Sequence, residues 1–409
     1  KHQPTLHFLH SFNEHSYIAI LPELCSSEVL NNVHADMTKD AKNIALVVAG
    51  LGNIGQRFLT MLPKQIARVS GLENVHLVGL VGASKALINT DGIDVANALE
   101  HYQQQAQQYD SEQLLAWLTS HPYDELIIVD ITPSEAFSHL YQEFFNRGIH
   151  VIGANKWAAS SSTENYRQLL TTAEKSNSIW LGNTTVGAGL PINSTIKELL
   201  NSGDKISEIS GIFSGTLSWL FQYYDGLTPF STLLNDALSQ GITEPDPRED
   251  LSGRDVQRKL LILARAAGFE LSLTDIDCQS LVPEPLRDIS LTEFLTRTAE
   301  LDEMFLSRLK QAQEKACVIR YVARFISDNG QVAAKVSLEE LSEKDAFSQL
   351  TPCDNVFQIK SEWYQENALI IRGPGAGRDV TAGGIHADLV TICQQLNHRH
   401  QQVKIKGLN

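Results

Sequence analysis

Residues 44–62 constrain the fold more than any other stretch. Six apolar residues, Ile44 to Ala49, run directly into Gly50-Leu51-Gly52-Asn53-Ile54-Gly55, and an amphipathic helical pattern follows. A buried strand, a GxGxxG turn and a helix in that order form the fingerprint of a dinucleotide-binding βαβ unit. The spacing assigns each glycine a job. Gly50 makes the tight turn, Gly52 lets the backbone approach a pyrophosphate, and Gly55 lets helix and strand pack closely. Leu51, Asn53 and Ile54 complete the loop, and the helix N-terminus faces the phosphates.

The pattern then repeats. Val75–Val81, Glu125–Ile131, His150–Gly153 and Ser178–Leu181 read as strands, with helical stretches around 114–118 and 135–146 between them. Alternation of this kind predicts a Rossmann-type parallel sheet wrapped by helices, here over 41–185. Ligands in such sheets sit beyond the carboxyl ends of the strands. Thr132 and the Ala154-Asn155-Lys156 turn fall at those ends, which makes Lys156 a candidate active-site cation; a surface lysine after a strand is the plainer alternative. An NAD-specific fold usually carries Asp or Glu at the end of the second strand. Here that strand runs into Gly82-Ala83-Ser84-Lys85, with no carboxylate before Asp91. Ser84 and Lys85 suit a 2′-phosphate, so NADP is expected ahead of NAD, with NAD still possible.

The densest charge lies later, in Gly241–Lys259, GITEPDPREDLSGRDVQRK. Pro245 and Pro247 predict an extended, stiff front half. Val256, Leu260, Leu263, Ala264 and Ala267 then recur at helical spacing up to Gly268. Asp255 and Lys259 stand one turn apart on one helix face. Alone, the segment also fits a surface helix with a Ser252–Asp255 capping box and an ordinary ion pair. Around it, residues 186–350 read as a second, α+β domain. It includes an amphipathic helix over 300–315 and strands at 319–325 and 332–338. A C-terminal segment, 351–409, carries a late strand pair, alternating glycines at Gly373, Gly375 and Gly377, and a last helix over 382–396. Alternating glycines before a helix suggest close approach to a ligand.

Composition bounds the remaining choices. A net charge of −15 argues against nucleic acid, and no apolar run approaches a membrane span. The five cysteines are scattered with no zinc spacing, as expected of reduced thiols in a cytoplasmic enzyme.

GITEPDPREDLSGRDVQRK resembles the signature of homoserine dehydrogenases, and the likeness extends over nearly everything from Ile44 onward. The resemblance implies reversible, NAD(P)-linked reduction of L-aspartate 4-semialdehyde to L-homoserine in threonine and methionine biosynthesis. It implies that the last helix returns to the dinucleotide domain with Gly375 and Gly377 near the cofactor, and that Lys156 lies near the nicotinamide. It implies a homodimer built through the second domain. It also implies a monovalent cation, Na+ or K+, held by backbone carbonyls of Val186, Ala188 and Leu190. Asn183 stands where other members carry an acid. Residues 1–40 contain two short strand patterns, 5–10 and 16–21, and a helical pattern over 24–37. They look like the tail of the ACT-type regulatory module in bifunctional aspartate kinase–homoserine dehydrogenases, whose kinase region would precede this chain.

A primary-alcohol dehydrogenase needs a proton donor, and Lys156 and Lys259 are the candidates. A lysine partly removed from water is drawn toward neutral-range acid–base work. Lys259 takes the proton-transfer role, Lys156 polarises and orients, and Asp255 orients Lys259 and the substrate hydroxyl. Glu244 is the first choice for the substrate ammonium, with Asp255 second; the resemblance implies similar roles at these positions. A semialdehyde-to-acid dehydrogenase would need a nucleophilic cysteine, and none falls at a glycine-rich strand end. A dinucleotide sensor without turnover would explain the glycine loop but not the paired lysines.

Overall fold

The computed structural model describes residues 7–9, 18–20, 42–69 and 72–406, with side chains described over 42–69 and 72–399. In the N-terminal stretch, His7–Leu9 pairs antiparallel with Ile18–Ile20. The helix expected over 24–37, and with it most of the regulatory-module reading, lies outside the described residues.

The first domain is a seven-stranded sheet. Its order is Gln107–Gln108, Lys85–Ile88, Val75–Val81, Ile44–Ala49, Glu125–Asp130, His150–Gly153, Trp180–Leu181. The five strands from Val75–Val81 onward are parallel; the two short edge strands are antiparallel, so the sheet is mixed rather than purely parallel. A parallel sheet must be covered on both faces, and the strands read as continuous apolar runs for that reason. Side chains alternate across Ile44–Ala49. Ile44, Leu46 and Val48 pack with Phe58 and Leu62 of the helix Asn53–Arg68, and with Ile385, Leu389 and Ile392 of the last helix. Ala45, Val47 and Ala49 face Leu114, Phe144 and Leu169 on the other side. Each fully buried aliphatic side chain contributes roughly 1.5–3 kcal/mol.

The second domain is built on a six-stranded sheet ordered Ile276–Cys278, Gln331–Ser342, Cys317–Asp328, Ile206–Ile212, Asp354–Ser361, Leu369–Pro374. All pairings are antiparallel except that of Ile276–Cys278 with Gln331–Ser342. The last two strands, grouped by sequence with the C-terminal segment, lie in this sheet. One sheet face carries Ile209, Phe325 and Phe357 against Leu217 and Phe221 of Gly215–Tyr223 and Leu260 and Leu263 of Arg254–Ala266. The opposite face carries an ion network of Glu208, Arg324, Glu339 and Lys360.

Several local expectations are corrected. The helix expected over 135–146 is two short helices, Glu135–Ser138 and Tyr141–Asn146. The last helix starts at Arg378, not at 382, and absorbs Gly383 and Gly384. The region after Pro245 is not extended throughout. Pro247 occupies the first turn of a short helix, Pro247–Leu251, capped by Asp246, because proline's missing N–H is no loss there. The Ser252–Asp255 capping box does not form. Gly253, at φ +74°, is the N-cap of Arg254–Ala266, and Ser252 Oγ accepts from the Arg254 amide instead.

Candidate active site

The glycine loop lies at the carboxyl ends of the parallel strands. Gly50 has φ +95°, and a Cβ there would sit 2.6 Å from the Ile131 carbonyl carbon. A Cβ on Gly55 would come within 1.9 Å of Gly50 O. These two glycines are required by the protein's own packing. Gly52 differs: a Cβ there would meet no atom of the described residues within 4 Å, so none of them explains its smallness. The helix Asn53–Arg68 starts at this point with no acid in its first turn and no side-chain cap, leaving its amides toward the open space. The rim beside it is the Gly82–Lys85 turn. Gly82 N donates to Lys85 O, and the hydroxyls of Tyr102 and Tyr109 donate to Lys85 O and Gly82 O. Ala83, Ser84 and Lys85 are exposed above it.

Asp130, wholly buried at the end of its strand, organises the next part. It accepts from Thr132 N, Tyr141 Oη and Asn155 Nδ2 at 2.8, 2.9 and 3.0 Å. Burial raises its carboxyl above the usual range, although these three donors work against that. Asn155 also donates to Thr132 Oγ1 and Ser134 O, and its Oδ1 accepts from Trp157 N. Asn155 thereby fixes the turn that carries Lys156.

The helix Arg254–Ala266 supplies the facing wall. Lys259 Nζ lies 2.8 Å from Asp255 Oδ2 and donates to Phe213 O at 2.7 Å. Lys156 Nζ, from the first domain, reaches Asp255 Oδ1 at 3.4 Å. Desolvation of the Asp255 carboxylate favours protonation, but the Lys259 and Lys156 charges outweigh it and hold the group well below the carboxylate range. The structure therefore brings Lys156, Asp255 and Lys259 together across the domain boundary. Glu244 stands exposed beside Asp250, its amide donating to Asp250 Oδ2. Asp250 is raised by burial and by the nearby Glu244 and Asp255 charges, with the Glu244 amide and Thr216 opposing.

The last helix closes the site. A Cβ on Gly375 would overlap the Asn355 side chain, which is fully buried and donates to the same Phe213 carbonyl that Lys259 uses. Gly377, at φ +141°, leads into the helix, and Asp379 in its first turn pairs with Arg57 of the helix after the glycine loop. A Cβ on Gly189 would touch Val380 O, and one on Gly384 would touch Thr184, so the Asn183–Leu190 turn packs tightly under this helix. Ala188 has φ +53°, and Leu190 O accepts from Ile192 N. Val186 is buried. Asn183 N donates to Asp388 Oδ2, and Asn183 Oδ1 accepts from Ser194 N. Burial pushes Asp388 up to about 7, with the Asn183 amide and Lys197 pulling the other way.

Asp130, Asn155, Asp250, Phe213 O, Asn355 and Asp388 were not assigned roles from sequence. Only the Asn-Lys pair and the acidic crowding were visible there; a carbonyl 46 positions from Lys259 leaves no residue-type signal. A separate cleft of about 820 Å3, with Lys42, Glu125, His150 and Arg399 in its walls, lies at the amino ends of the strands, away from this chemistry.

Comparison with known proteins points to one family. The family profile "Homoserine dehydrogenase, NAD binding domain" matches residues 50–182, and "Homoserine dehydrogenase" matches 191–390. The homoserine dehydrogenase of Schizosaccharomyces pombe is 33% identical over 374 residues, covering 88% of this chain and 98% of that protein. The chain belongs to the homoserine dehydrogenase family. It is 45% identical over 384 residues to bifunctional aspartokinase/homoserine dehydrogenase 2 of Escherichia coli K12, covering 93% of this chain and 47% of that protein. It thus spans about half the length of the bifunctional relative. A hyperthermophilic archaeal homoserine dehydrogenase in complex with NADPH shares the fold, with a TM-score of 0.66, 20% identity, and coverage of 86% of this chain and 98% of that one.

Proposed function

We propose that this member of the family reduces L-aspartate 4-semialdehyde reversibly to L-homoserine with NADPH. One observation carries the assignment of roles. An ammonium has three N–H donors, and two on Lys259 are held by Asp255 Oδ2 and Phe213 O. The third remains for a substrate oxygen. The glycine loop fits a dinucleotide, because Gly52 alone of its three glycines leaves room that no atom of the described residues fills. When bound, the nicotinamide supplies the hydride to the carbonyl carbon. Lys259 Nζ donates the proton to the carbonyl oxygen and takes it back in the reverse direction. Lys156, tied to Asp255, adds positive charge where the oxygen becomes negative. Glu244, on the exposed loop, faces the substrate ammonium. Ser84 and Lys85 at the rim favour NADPH over NADH. Thr132 and the Gly375–Gly377 run border the same space.

Further readings rest on the same frame. The Val186–Leu190 turn offers carbonyls for Na+ or K+, with Asn183 in place of an acid and Asp388 beside it. The outer face of the second sheet, with Ile326 and Ile370 exposed, suits pairing with a second copy as a homodimer. The four described cysteines are all unbridged, which fits a reducing, cytoplasmic setting. An aspartate kinase region on the same polypeptide is consistent with the bifunctional relatives.

Steady-state kinetics of two variants test the roles. Lys259→Ala is expected to lower kcat by about 10²- to 10⁴-fold with NADPH binding intact. Glu244→Gln is expected to raise KM for homoserine. Near-normal kcat in the first variant would reduce Lys259 to a helix ion-pair residue.

A further inference from the structure

Each of the two lysines has a neighbour in sequence that reaches across the domain boundary. Trp157 follows Lys156, and Arg258 precedes Lys259. The Arg258 guanidinium carbon stands 4.1 Å from the centroid of the Trp157 ring, the geometry of a cation–π contact. The ring is held from its own side. Trp157 N donates to Asn155 Oδ1 and Trp157 Nε1 donates to Pro133 O, at 3.0 and 3.1 Å. Lys156 is thus flanked by two fixed residues, one bound to Asp130 and the other beneath Arg258.

The ion pairs alone do not explain how the two lysines keep their spacing. Lys156 reaches Asp255 at 3.4 Å, with the two side chains 36% and 50% exposed. Lys259 is fixed by Asp255 and Phe213 O at 2.8 and 2.7 Å, so the longer, half-exposed Lys156 contact is the weak link in position, whatever its charge does to Asp255. Farther along the same helix, Arg265 is buried and donates to Ala159 O, Ser161 O and Leu271 O, and its guanidinium lies over Tyr166. Arg258 and Arg265 are seven positions apart and share a helix face. Arg265 bolts the far end of the helix to the 159–163 loop. The catalytic end is fixed within its own domain by buried Val256 and Leu260 and by Gln257 Nε2 donating to Leu273 O and Ile276 O. What needs fastening there is the first-domain turn that carries Lys156.

We propose that Trp157 and Arg258 form an interdomain latch that positions Lys156 and Lys259 on the two sides of Asp255. Both are positioning residues; neither is assigned to touch substrate. The inference rests on the reading of Lys156 and Lys259 given above. It accounts for a half-buried tryptophan on an active-site turn, where the Rossmann fold itself asks for none.

The test compares Trp157→Leu, Trp157→Phe, Arg258→Met and the double variant Trp157→Leu/Arg258→Met with wild type. It reads kcat and KM for aspartate semialdehyde, the Kd for NADPH, and the thermal midpoint. Each of Trp157→Leu and Arg258→Met is expected to lower kcat about tenfold. NADPH Kd should stay within roughly twofold. Trp157→Phe, which keeps a ring face, should recover most of the rate. The double variant should be no slower than either single, because both remove one contact. Losses that multiply in the double variant, unchanged kcat in the singles, or a Phe variant as slow as the Leu variant would overturn the latch alone. A wild-type enzyme unable to reduce the semialdehyde would overturn the latch and the functional reading together.

Discussion

Gly52 and Gly55 lie three residues apart in one loop, yet they are expected to fail differently when changed to alanine. A Cβ at Gly55 would sit 1.9 Å from Gly50 O, so helix and loop must separate by more than an ångström to restore normal contact. Overpacking of that kind costs typically about 1–3 kcal/mol, occasionally more. In a domain of this size that is a fall in Tm of roughly 3–10 °C. Gly52, at φ −73° and ψ −163°, is ordinary extended backbone, and its Cβ would meet no atom of the described residues. Gly52→Ala should therefore shift Tm little, while placing a methyl where the backbone must approach a pyrophosphate. Loss of charge-assisted contacts there, at about 1.5–3 kcal/mol, corresponds to a roughly 10- to 100-fold weaker Kd for NADPH. Differential scanning fluorimetry reads the first quantity and titration calorimetry the second. An NADPH Kd unchanged in Gly52→Ala would refute the phosphate-cradle reading, whatever Gly55→Ala does.

Two further outcomes are expected. Lys85→Ala should lower kcat/KM for NADPH about tenfold or more and leave NADH little changed, since the Lys85 carbonyl is already held by Gly82 and Tyr102 and its exposed ammonium is what remains for a 2′-phosphate; an equal fall for both cofactors would count against it. Asp388, raised by burial to about 7, favours its protonated form in the fold, so its contribution is fully present below the unfolded carboxyl pKa and is lost as pH rises through about 7. Asp388→Asn keeps an acceptor for the Asn183 amide without the charge, and its Tm advantage over wild type should grow between about pH 5 and about pH 8; a constant gap would mean that Asp388 stays ionised or is better solvated than its burial implies.

What could be read in the sequence was what is local. The strand–glycine–helix unit was legible because all its determinants lie within 20 residues, and Asp255 and Lys259 because helical spacing alone puts them on one face. Local ambiguity accounts for the misread stretch: proline marks an extended chain and a helix start equally well, and at Pro247 it does the second. The capping box failed because Gly253 takes the left-handed turn that joins two helices, and no side chain can cap from that position. Long-range pairings left no trace. Asp354–Ser361 joins the second sheet by pairing with Ile206–Ile212, some 150 residues earlier, and the Lys156–Asp255 contact spans the domain boundary. The buried acceptors Asp130 and Asp388 look like ordinary polar residues until their surroundings are assembled.

The central claim is that Lys259, held by Asp255 and Phe213 O, passes the proton in an NADPH-dependent reduction of aspartate semialdehyde. The most direct measurement follows NADPH absorbance after mixing wild type or Lys259→Ala with NADPH and aspartate semialdehyde in phosphate-free buffer. The account predicts steady loss of absorbance with wild type, homoserine as the product, and a rate at least about 10²-fold lower with Lys259→Ala although NADPH still binds. No NADPH oxidation by wild type, or a Lys259→Ala rate close to wild type, would contradict it.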